Sequence, residues 1–475
     1  MKDVLLDYGD KHLTVQLPDS ATIVRYGDTY TDPPAVDPVA AVKKALESPL
    51  GFAPLKELSG PGKKIVISFP DRVKGGAHPK SHRRVAIPLI VEELIKGGAS
   101  LENITLLCAV GLHRKNTLEE WYGYLGKEIV DQFWPDRLVN HDAEAVDLCD
   151  FGMDETGNRV QCNRLIAESD LPIVVGHCCG NPYGGFSGGY KMIVTGLSGW
   201  RSIASHHCPG TMHRDDWLGA STSSYMRQQF RAIGEAMENG IGKIFFAVDA
   251  VIGQKSEILD VQAGQLDLVE KATWPLAEKR TNIHLDMKEP ADILIMGLPR
   301  NFHYGPGMGT NPILMSLGIG GQLSRAWNAF REGGIIIAAS VCDGWFNQNW
   351  FPSYEHTFEA LQTYCTPAEF LESKEAAEIS NDTEYRFKYS NYYTYHPFHA
   401  MSMISGGSVP ALKTAAVFIA GAKAPQYARG MGFIPTRNFD EAYSRALKIV
   451  GKNPRILCTP EAFSGGVGVH LHLNK

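Results

Sequence analysis

Residues 63–110 read KKIVISFPDRVKGGAHPKSHRRVAIPLIVEELIKGGASLENITLLCAV, and this stretch decides the fold. Two apolar runs, 63–69 and 103–110, have the length and composition of buried strands. Between them, 82–99 places apolar side chains at helical intervals and ends in glycine. A strand, a helix and a second strand in this order are typical of a parallel sheet covered by helices. The apolar run LPIVVGHCC at 171–179 predicts a third strand.

The same rhythm returns in the last third of the chain. Further strands are predicted at ADILIMGLP (291–299), GGIIIAASV (333–341), TAAVFIAG (414–421) and RILCTP (455–460). We therefore predict an α/β protein of two α/β domains, each with a mainly parallel sheet flanked by helices. The expected bounds are 1–275 for the N-terminal domain, 290–455 for the C-terminal domain, and 455–475 for a terminal strand or tail that could return to the N-terminal domain.

Composition excludes several classes of function. The 475 residues carry a net charge of −6, so the basic footprint of a nucleic-acid-binding protein is missing. Apolar residues make up 44% and charged residues 21%, as in ordinary globular proteins. Every uncharged apolar run is far shorter than the roughly 18 residues of a membrane span. The amino end has no signal-peptide core, so a cytoplasmic location is expected.

Nine cysteines lack the spacing of a disulfide framework, which indicates reduced thiols. His177-Cys178-Cys179 and His206-His207-Cys208 form two local clusters, so a structural zinc ion is conceivable. Neither cluster has the gap of about two to four residues that zinc ligands usually keep. Buried apolar thiols are therefore the favoured interpretation.

The stretch GGFSGGYKM (184–192) places four glycines and a serine just before Lys191. Glycines let a backbone approach a ligand closely, most often a phosphate. The frame is not that of a nucleotide-triphosphatase loop, because Tyr190 and Lys191 follow Gly189 where a lysine and a hydroxyl residue should stand. It also misses the Ser-x-x-Lys pattern, since Ser187 and Lys191 are four apart. A Schiff base with pyridoxal phosphate, or a plain surface helix after a glycine turn, stays open.

Two polar loops follow the first two predicted strands. They are FPDRVKGG (69–76) and GLHRKNT (111–117). Open parallel sheets bind ligands at the carboxyl ends of their strands. We therefore expect both loops to share one active site with the glycine stretch, in the cleft between the two domains.

Taken together, these elements resemble the nickel-pincer-nucleotide lactate racemase family. The resemblance rests on D-x-x-[RK] at 71–74, G-x-H-R at 111–114, and GFSGG-x-K at 185–191 with His207 sixteen residues later. It implies a nickel-pincer nucleotide, the Ni(II) complex of pyridinium-3,5-bisthiocarboxylic acid mononucleotide, bound covalently to Lys191. His207 would be the nickel ligand that completes a square-planar set.

The resemblance also implies roles for the loops. The residues implied to hold the nucleotide are Asp71, Arg72, Val73, Lys74, Ser187, Gly188, Gly189, Lys191 and His207. His113 would be the general acid/base, since histidine titrates near neutral pH. The implied reaction moves the α-hydrogen of a 2-hydroxy acid to the cofactor as hydride and returns it to the other face of the 2-keto acid. Cofactor-maturation enzymes would be partners.

The sequence departs from the family where the family faces its substrate. Asn181 stands in place of a second catalytic histidine, and an asparagine side chain cannot act as a base. Other candidates for the second acid/base are His177, Tyr190, His206 and His303. The substrate could also supply its own acid/base group, or the reaction could favour one direction.

Two further departures lie at the expected substrate contacts. Lys74 stands where the lactate enzymes have arginine, so a point charge replaces a bidentate fork. The loop 297–313 shows no Gln and Lys pair of the kind that the lactate enzymes use. The residues expected to contact substrate are Lys74, Asn181, His303, Tyr304, Asn311 and Trp345.

We therefore predict an isomerase that racemises or epimerises a 2-hydroxy acid other than lactate, with the same cofactor as the family. A nicotinamide-dependent dehydrogenase is one alternative, and the lack of a G-x-G-x-x-G sequence after the first strand counts against it. A non-catalytic paralogue that only binds the nickel nucleotide is the other, and Asn181 keeps it open.

Overall fold

The computed structural model describes residues 1–74, 79–216, 222–464 and 468–474. Its first sheet has six strands, and all neighbours run parallel except the first two, which are antiparallel. In spatial order the strands are Ile258–Gln265, Phe246–Ile252, Leu171–Cys178, Ile65–Pro70, Ile104–Ala109 and Leu138–Asn140.

Both faces of this sheet are buried, which is why its strands are apolar at nearly every position. Ile65, Ile67 and Phe69 face one layer of helices, while Val66 faces the other. The first layer consists of Pro38–Glu47, Leu55–Leu58, His82–Lys96, Leu118–Leu125 and Lys127–Phe133. The second consists of Arg164–Ala167, Gly189–Gly196, Tyr225–Ile241 and Leu266–Thr281.

The second sheet has eight strands, and only its first pair is antiparallel. Six strands follow in the order Lys11–Leu17, Lys2–Gly9, Ala291–Pro299, Phe330–Ala339, Thr414–Ala420 and Ile434–Thr436. Ile456–Thr459 lies beside the first part of Ala291–Pro299 and also pairs with Thr22–Ile23.

Helices cover both faces of the second sheet as well. Phe439–Val450 packs on one face. The other face carries Pro312–Ala326, Tyr354–Leu361, Pro367–Leu371, Lys374–Ser380, Thr383–Asn391, Phe398–Gly407 and Pro425–Gly430.

Short elements complete the described chain. The remaining helices are Trp200–His206 and Pro209–Met212, with 3-10 turns at Leu101–Asn103, Trp327–Ala329 and Val409–Leu412. Two-stranded pairs join Cys149–Met153 to Arg159–Cys162, Gly180–Asn181 to Gly185–Phe186, Asn301–Phe302 to Gly305–Pro306, and Asn282–Leu285 to His470–Leu473. Within the described ranges, every helix is too short or too polar to cross a membrane.

The predicted α/β class, with mainly parallel sheets flanked by helices, is confirmed. The domain bounds 1–275 and 290–455 stay a prediction, but strand pairing differs from them at the amino end. The strands Lys2–Gly9 and Lys11–Leu17 belong to the second sheet, because Lys2–Gly9 pairs with Ala291–Pro299. The sequence could not indicate this, since strand alternation does not reveal which sheet a strand joins.

Three strands of the first sheet bring the polar loops together. Ile65–Pro70 lies between Ile104–Ala109 and Leu171–Cys178, and all three run parallel. Their carboxyl ends therefore meet at one edge. The second half of the chain holds this edge in place: Tyr389 Oη donates to Gly111 O at 2.5 Å, and His396 N donates to Leu112 O at 3.0 Å.

Candidate active site

Asp71 and His113 meet at the carboxyl ends of two adjacent strands. Pro70 and Ala109 are partners in the parallel register, so the loops that follow them lie side by side. His113 Nδ1 lies 2.8 Å from Asp71 Oδ2. Lys74 N donates to the other oxygen, Oδ1, at 3.1 Å. The Asp71 side chain is fully buried, with each oxygen in a hydrogen bond.

This pairing decides the tautomer of His113. Burial alone would raise the pKa of Asp71, but the nearby His113 and Lys74 outweigh it and hold the pKa below its usual value. An ionised carboxylate only accepts hydrogen bonds, so Nδ1 of His113 carries the hydrogen and Nε2 carries the lone pair. Burial lowers the pKa of His113 and Asp71 offsets this only in part. A neutral imidazole with a free Nε2 is the form that can take a proton.

Gly111 is required by the turn that places His113. Its φ is +53°, in the region that side chains other than glycine rarely adopt. A Cβ at this position would also clash with the carbonyl oxygen of Thr195. The loop can therefore pass over the helix Gly189–Gly196 only because residue 111 has no side chain.

Two buried carboxylates lie beneath the glycine stretch. Gly189 N donates to Asp249 Oδ2 at 2.9 Å, and Tyr190 N donates to Glu270 Oε1 at 2.9 Å. A Cβ on Gly189 would clash with Glu270. Glycine is needed at this position because a protein carboxylate, rather than a phosphate, approaches the start of the helix.

This finding alters one sequence-based expectation. The amides of Gly189 and Tyr190 are already paired inside the protein, and Ser187 N donates to Cys179 O at 3.0 Å. These amides can therefore reach a phosphate only by giving up those acceptors. Ser187 and Gly188 still line a cavity, so their contact with the nucleotide stays a prediction.

Lys191 follows directly, in the first turn of the helix Gly189–Gly196. The residue is only 6% exposed, and its Nζ lies 5.1 Å from the centre of the Phe230 ring. Burial lowers the pKa of Lys191 well below its usual value, and the cations of Lys74 and Arg227 lower it further. Burial in this setting favours the uncharged, nucleophilic form of the amine.

His207 directly follows the next helix, Trp200–His206, as its C-cap, and it lines the same small cavity as Lys191. Its Nδ1 lies 2.8 Å from Nδ1 of His206, so one of the two nitrogens donates to the other. His206 is fully buried, and burial lowers its pKa to about 3. Burial also lowers the pKa of His207 well below its usual value. A neutral imidazole fixed through Nδ1 can use Nε2 as a metal ligand.

Two adjoining cavities connect these residues. The small cavity, about 80 Å³, is lined by Lys74, His113, Ser187, Gly188, Lys191 and His207, among others. The large cavity, about 550 Å³, is lined by Arg72, Val73, Lys74, Asn181, Ser187, His303 and Tyr304, among others. Both halves of the chain contribute to each wall, because Tyr304 lines both cavities.

Lys74 bridges the loop at Asp71 and the second half of the chain. Its Nζ lies 3.2 Å from His303 Nε2 and 5.7 Å from the centre of the Tyr304 ring. Because an ammonium only donates, His303 Nε2 accepts this hydrogen bond. Burial lowers the pKa of His303 well below its usual value, and Lys74 lowers it further. His303 is thus a neutral acceptor for Lys74 rather than a free base.

Two residues expected to contact substrate lie elsewhere. Asn311 caps the helix Pro312–Ala326, with its Oδ1 accepting from the amides of Ile313 and Leu314 at 3.0 and 3.2 Å. Trp345 is 43% exposed and packs over Gly307, outside both cavities. Neither residue lines a cavity, since Asn311 serves as a helix cap and Trp345 lies on the outer surface, so the described geometry does not support a substrate contact for either.

The candidates for a second acid/base are also separated by the structure. Tyr190 lines neither cavity and donates from its hydroxyl to Glu238 at 3.1 Å. His206 lies behind His207 and lines neither cavity. His177 lines both cavities, and burial lowers its pKa to about 3. Asn181 accepts from Tyr183 N at 2.8 Å and lines the large cavity.

Four histidines of the described residues line the small cavity, and sequence reasoning missed one of them. His399, in the helix Phe398–Gly407, is 2% exposed and lines this cavity with His113. The two rings meet edge to face, with their centres 5.7 Å apart. Nδ1 of His399 lies 2.6 Å from Tyr354 Oη, and its Nε2 has no hydrogen-bond partner among the described residues. No motif marks it, because only tertiary packing brings it to the cavity.

The chain's own side chains do not form a complete metal site in the described ranges. No group of three or more His, Cys, Asp or Glu residues is placed there to hold a metal ion. The two His-Cys clusters considered for zinc therefore do not converge.

Comparison with known proteins agrees with the arrangement of these loops. Residues 8–218 match the family described as the lactate racemase N-terminal domain. The lactate racemase of Thermoanaerobacterium thermosaccharolyticum is 24% identical over 479 residues, which cover 98% of this chain and 99% of that protein. The lactate racemase of Lactiplantibacillus plantarum is 24% identical over 292 residues, which cover 58% of this chain and 63% of that protein.

Solved structures show the same fold. The lactate racemase apoprotein from Thermoanaerobacterium thermosaccharolyticum superimposes with a TM-score of 0.71 at 21% identity, covering 99% of this chain and all of that one. A Thermotoga maritima protein gives a TM-score of 0.57 at 12% identity, covering 94% and 100%. This chain is therefore similar to the lactate racemases over nearly its whole length, as a divergent relative, and residues 8–218 match the lactate racemase N-terminal domain.

Proposed function

We propose that this protein racemises or epimerises a 2-hydroxy acid other than lactate, with a nickel-pincer nucleotide bound covalently to Lys191. One observation carries the proposal. His113 is fixed by Asp71 through Nδ1, which leaves Nε2 as its basic nitrogen, and it lines the same cavity as Lys191 and His207. A proton acceptor, an attachment amine and a metal ligand thus converge on one space.

The residues present fit this cofactor. Lys191 is a buried amine that can form a covalent bond, and His207 can supply one donor while the cofactor supplies the rest. When bound, the cofactor's pyridinium ring supplies an acceptor for hydride. The large cavity, about 550 Å³, offers room for a nucleotide. Maturation enzymes would have to build and load such a group, so they are proposed partners.

His113 performs the proton transfer in this proposal. Its Nε2 takes the hydroxyl proton while the α-hydrogen leaves the substrate with both bonding electrons, and the C–O bond becomes C=O. Asp71 keeps the hydrogen on Nδ1 and stabilises the imidazolium that forms. The 2-keto acid then turns and regains a hydride on its other face and a proton on its oxygen.

His399 is the proposed second acid/base in place of the histidine that Asn181 replaces. Its partner Tyr354 can donate to Nδ1 or accept from it, so either tautomer of His399 is supported. With Nδ1–H donated to Tyr354 Oη, Nε2 can take a proton or, once protonated, return it. The edge contact between His399 and His113 places both rings within reach of one small substrate. This weakens the non-catalytic alternative.

Lys74 is the proposed contact for the substrate carboxylate. It lies between Asp71 and His303, at the wall shared by both cavities. A single ammonium holds a carboxylate less rigidly than an arginine fork. This difference, together with Asn181 at the wall of the large cavity, supports a substrate other than lactate.

Chiral chromatography of a panel of 2-hydroxy acids tests the function on cofactor-loaded protein. We expect at least one acid other than lactate to be racemised, and His113→Ala to lower kcat by about 10²-fold or more. His213→Gln is the control. Nε2 of His213 lies within hydrogen-bond distance of Ser405 O and Ser408 Oγ, and His213 lines neither cavity. If loaded protein racemised none of the panel, the proposed function would be wrong.

The same assay tests the second histidine. We expect His399→Gln, whose amide can still bond to Tyr354, to lower kcat by a similar factor with little change in KM. Full activity of this variant would show that His113 alone handles both enantiomers. His177→Asn distinguishes the other histidine of the cavity wall, and it should retain most of the activity.

A further inference from the structure

The large cavity has a wall of one charge. Among the described residues that line it, there is no aspartate or glutamate, whereas five side chains are cationic: Arg72, Lys74, Lys80, Arg83 and Arg325. The chain as a whole has a net charge of −6, so this concentration is local. A cleft lined by one sign of charge attracts ligands of the opposite sign.

Three of these cations already have partners in the protein. Arg72 Nε lies 2.9 Å from Glu120 Oε1, and Arg83 donates to the carbonyl oxygen of Asp71 at 2.7 Å. Lys74 bonds to His303. Contacts within the protein therefore account in part for the positions of these three side chains.

Arg325 differs from these three cations because it has no such partner among the described residues. No carboxylate of the described residues lies within 4.0 Å of it, and its buried Nε has no hydrogen-bond partner there. The residues outside the described ranges contain no aspartate or glutamate. Arginine stays charged at any physiological pH, so among the described residues this guanidinium has no aspartate or glutamate side chain as a close counter-charge. A guanidinium held at a cavity wall in this way is costly unless a ligand pairs with it.

The surroundings of Arg325 leave space for such a ligand. Gly318 and Gly321 lie on the same face of the helix Pro312–Ala326 and line the cavity with it. A Cβ on Gly321 would meet no atom within 4 Å. On the other side, a Cβ on Gly468 would clash with the guanidinium. The arginine is thus packed against one glycine and faces open space one turn away at another.

We propose that Arg325 is the centre of an anion-binding subsite in the large cavity, built for a dianionic group such as a phosphate monoester or a second carboxylate. The planar fork of the guanidinium matches two oxygens of such a group. The identity of the bound anion rests on the proposed function. It would be either the phosphate of the nucleotide cofactor or a further acidic group on the substrate.

The neighbouring titratable groups agree with an anion in this place. Burial lowers the pKa of Lys74, and Arg325 is among the charges that lower it further. Burial lowers the pKa of His303, with Lys74, His113 and Arg325 contributing. A bound dianion would raise both pKa values.

Calorimetry of the apoprotein with inorganic phosphate tests the subsite without any turnover. We expect saturable binding of phosphate to the wild type. Arg325→Gln should weaken phosphate binding roughly ten- to hundredfold. Arg331→Gln is the matched control, because Arg331 is paired with Asp292 and lines neither cavity, and it should bind phosphate as the wild type does.

A second variant tests the same subsite without removing the positive charge of Arg325. Gly321→Leu fills the open space and leaves Arg325 in place, so it should also weaken binding at least about tenfold. Circular dichroism confirms that each variant is folded. Phosphate binding unchanged in both variants would overturn the proposal, whether or not the protein proves to be a racemase.

Two larger probes distinguish the source of the anion. Nicotinic acid mononucleotide presents a pyridine nucleotide phosphate, and malate presents a hydroxy acid with a second carboxylate. Tighter, Arg325-dependent binding of the mononucleotide assigns the subsite to the cofactor, whereas tighter binding of malate assigns it to the substrate. If neither probe binds more weakly to Arg325→Gln than to the wild type, the subsite is refuted.

Discussion

Asp249 should make the stability of this protein depend on pH in a way that one substitution removes. The residue is 2% exposed and accepts from Gly189 N at the start of the helix that carries Lys191. Burial raises the pKa of its carboxyl from 3.8 to about 7, and Glu270 contributes to the increase. A carboxyl with this change costs about 4 kcal/mol of folding free energy once it is ionised.

The pKa values of Asp249 in the folded and unfolded states determine how the stability of the protein changes with pH. Below pH 3.8 the carboxyl is protonated in both states and costs nothing. Between about pH 4 and 7 the unfolded chain loses its proton while the folded protein keeps it, so stability falls by about 1.4 kcal/mol per pH unit. Above about pH 7 the carboxyl is ionised in both states and the loss stays constant.

Urea unfolding of wild type and Asp249→Asn at pH 5, 6, 7 and 8 measures this effect. The amide keeps an acceptor for Gly189 N but does not titrate, so the difference between the two proteins isolates the carboxyl from all other groups. We expect the free energy of unfolding of the variant, relative to that of the wild type, to increase by about 2 to 3 kcal/mol between pH 5 and pH 8. Parallel pH profiles would refute the reasoning, because they would show that Asp249 ionises normally in the folded state.

Two further substitutions test the loops of the site. Gly189→Ala should destabilise the fold by about 2 kcal/mol or more in urea unfolding, because its φ is +55° and its Cβ would clash with Glu270. Gly321→Ala, with open space and a helical backbone, should be neutral or up to about 1 kcal/mol more stable; equal effects of the two would contradict the account. Asp71→Asn should lower kcat of the loaded enzyme by about 10²-fold or more with little change in KM, because its amide can donate to Nδ1 of His113 and reverse the tautomer; an unchanged kcat would argue against the pairing.

The meeting of Asp71 and His113 could be predicted from the sequence. Both residues follow apolar strands with a helix between them, and adjacent parallel strands end at one edge of a sheet. The strand–helix–strand order is a local property, so composition and periodicity reveal it. The same reasoning placed Lys191 beside the loops, since a third strand precedes it.

Contacts between distant segments could not be predicted in the same way. His399 reaches the small cavity from a helix that begins almost 300 residues after His113, and no spacing rule connects them. Asp249 and Glu270 explain the glycines before Lys191, but a glycine-rich stretch looks alike whether a phosphate or a protein carboxylate approaches it. Irregular loops are equally hard, as the outward position of Trp345 shows.

The central claim is that Lys191 is the attachment point of a metal-bearing nucleotide. Peptide mapping by mass spectrometry of fully matured protein, with nickel measured on the same sample, tests it most directly. We predict a nucleotide adduct on the peptide that contains Lys191, close to one nickel per chain, and loss of both in Lys191→Ala. An unmodified Lys191 in protein from a host that loads the cofactor into lactate racemases would contradict the claim.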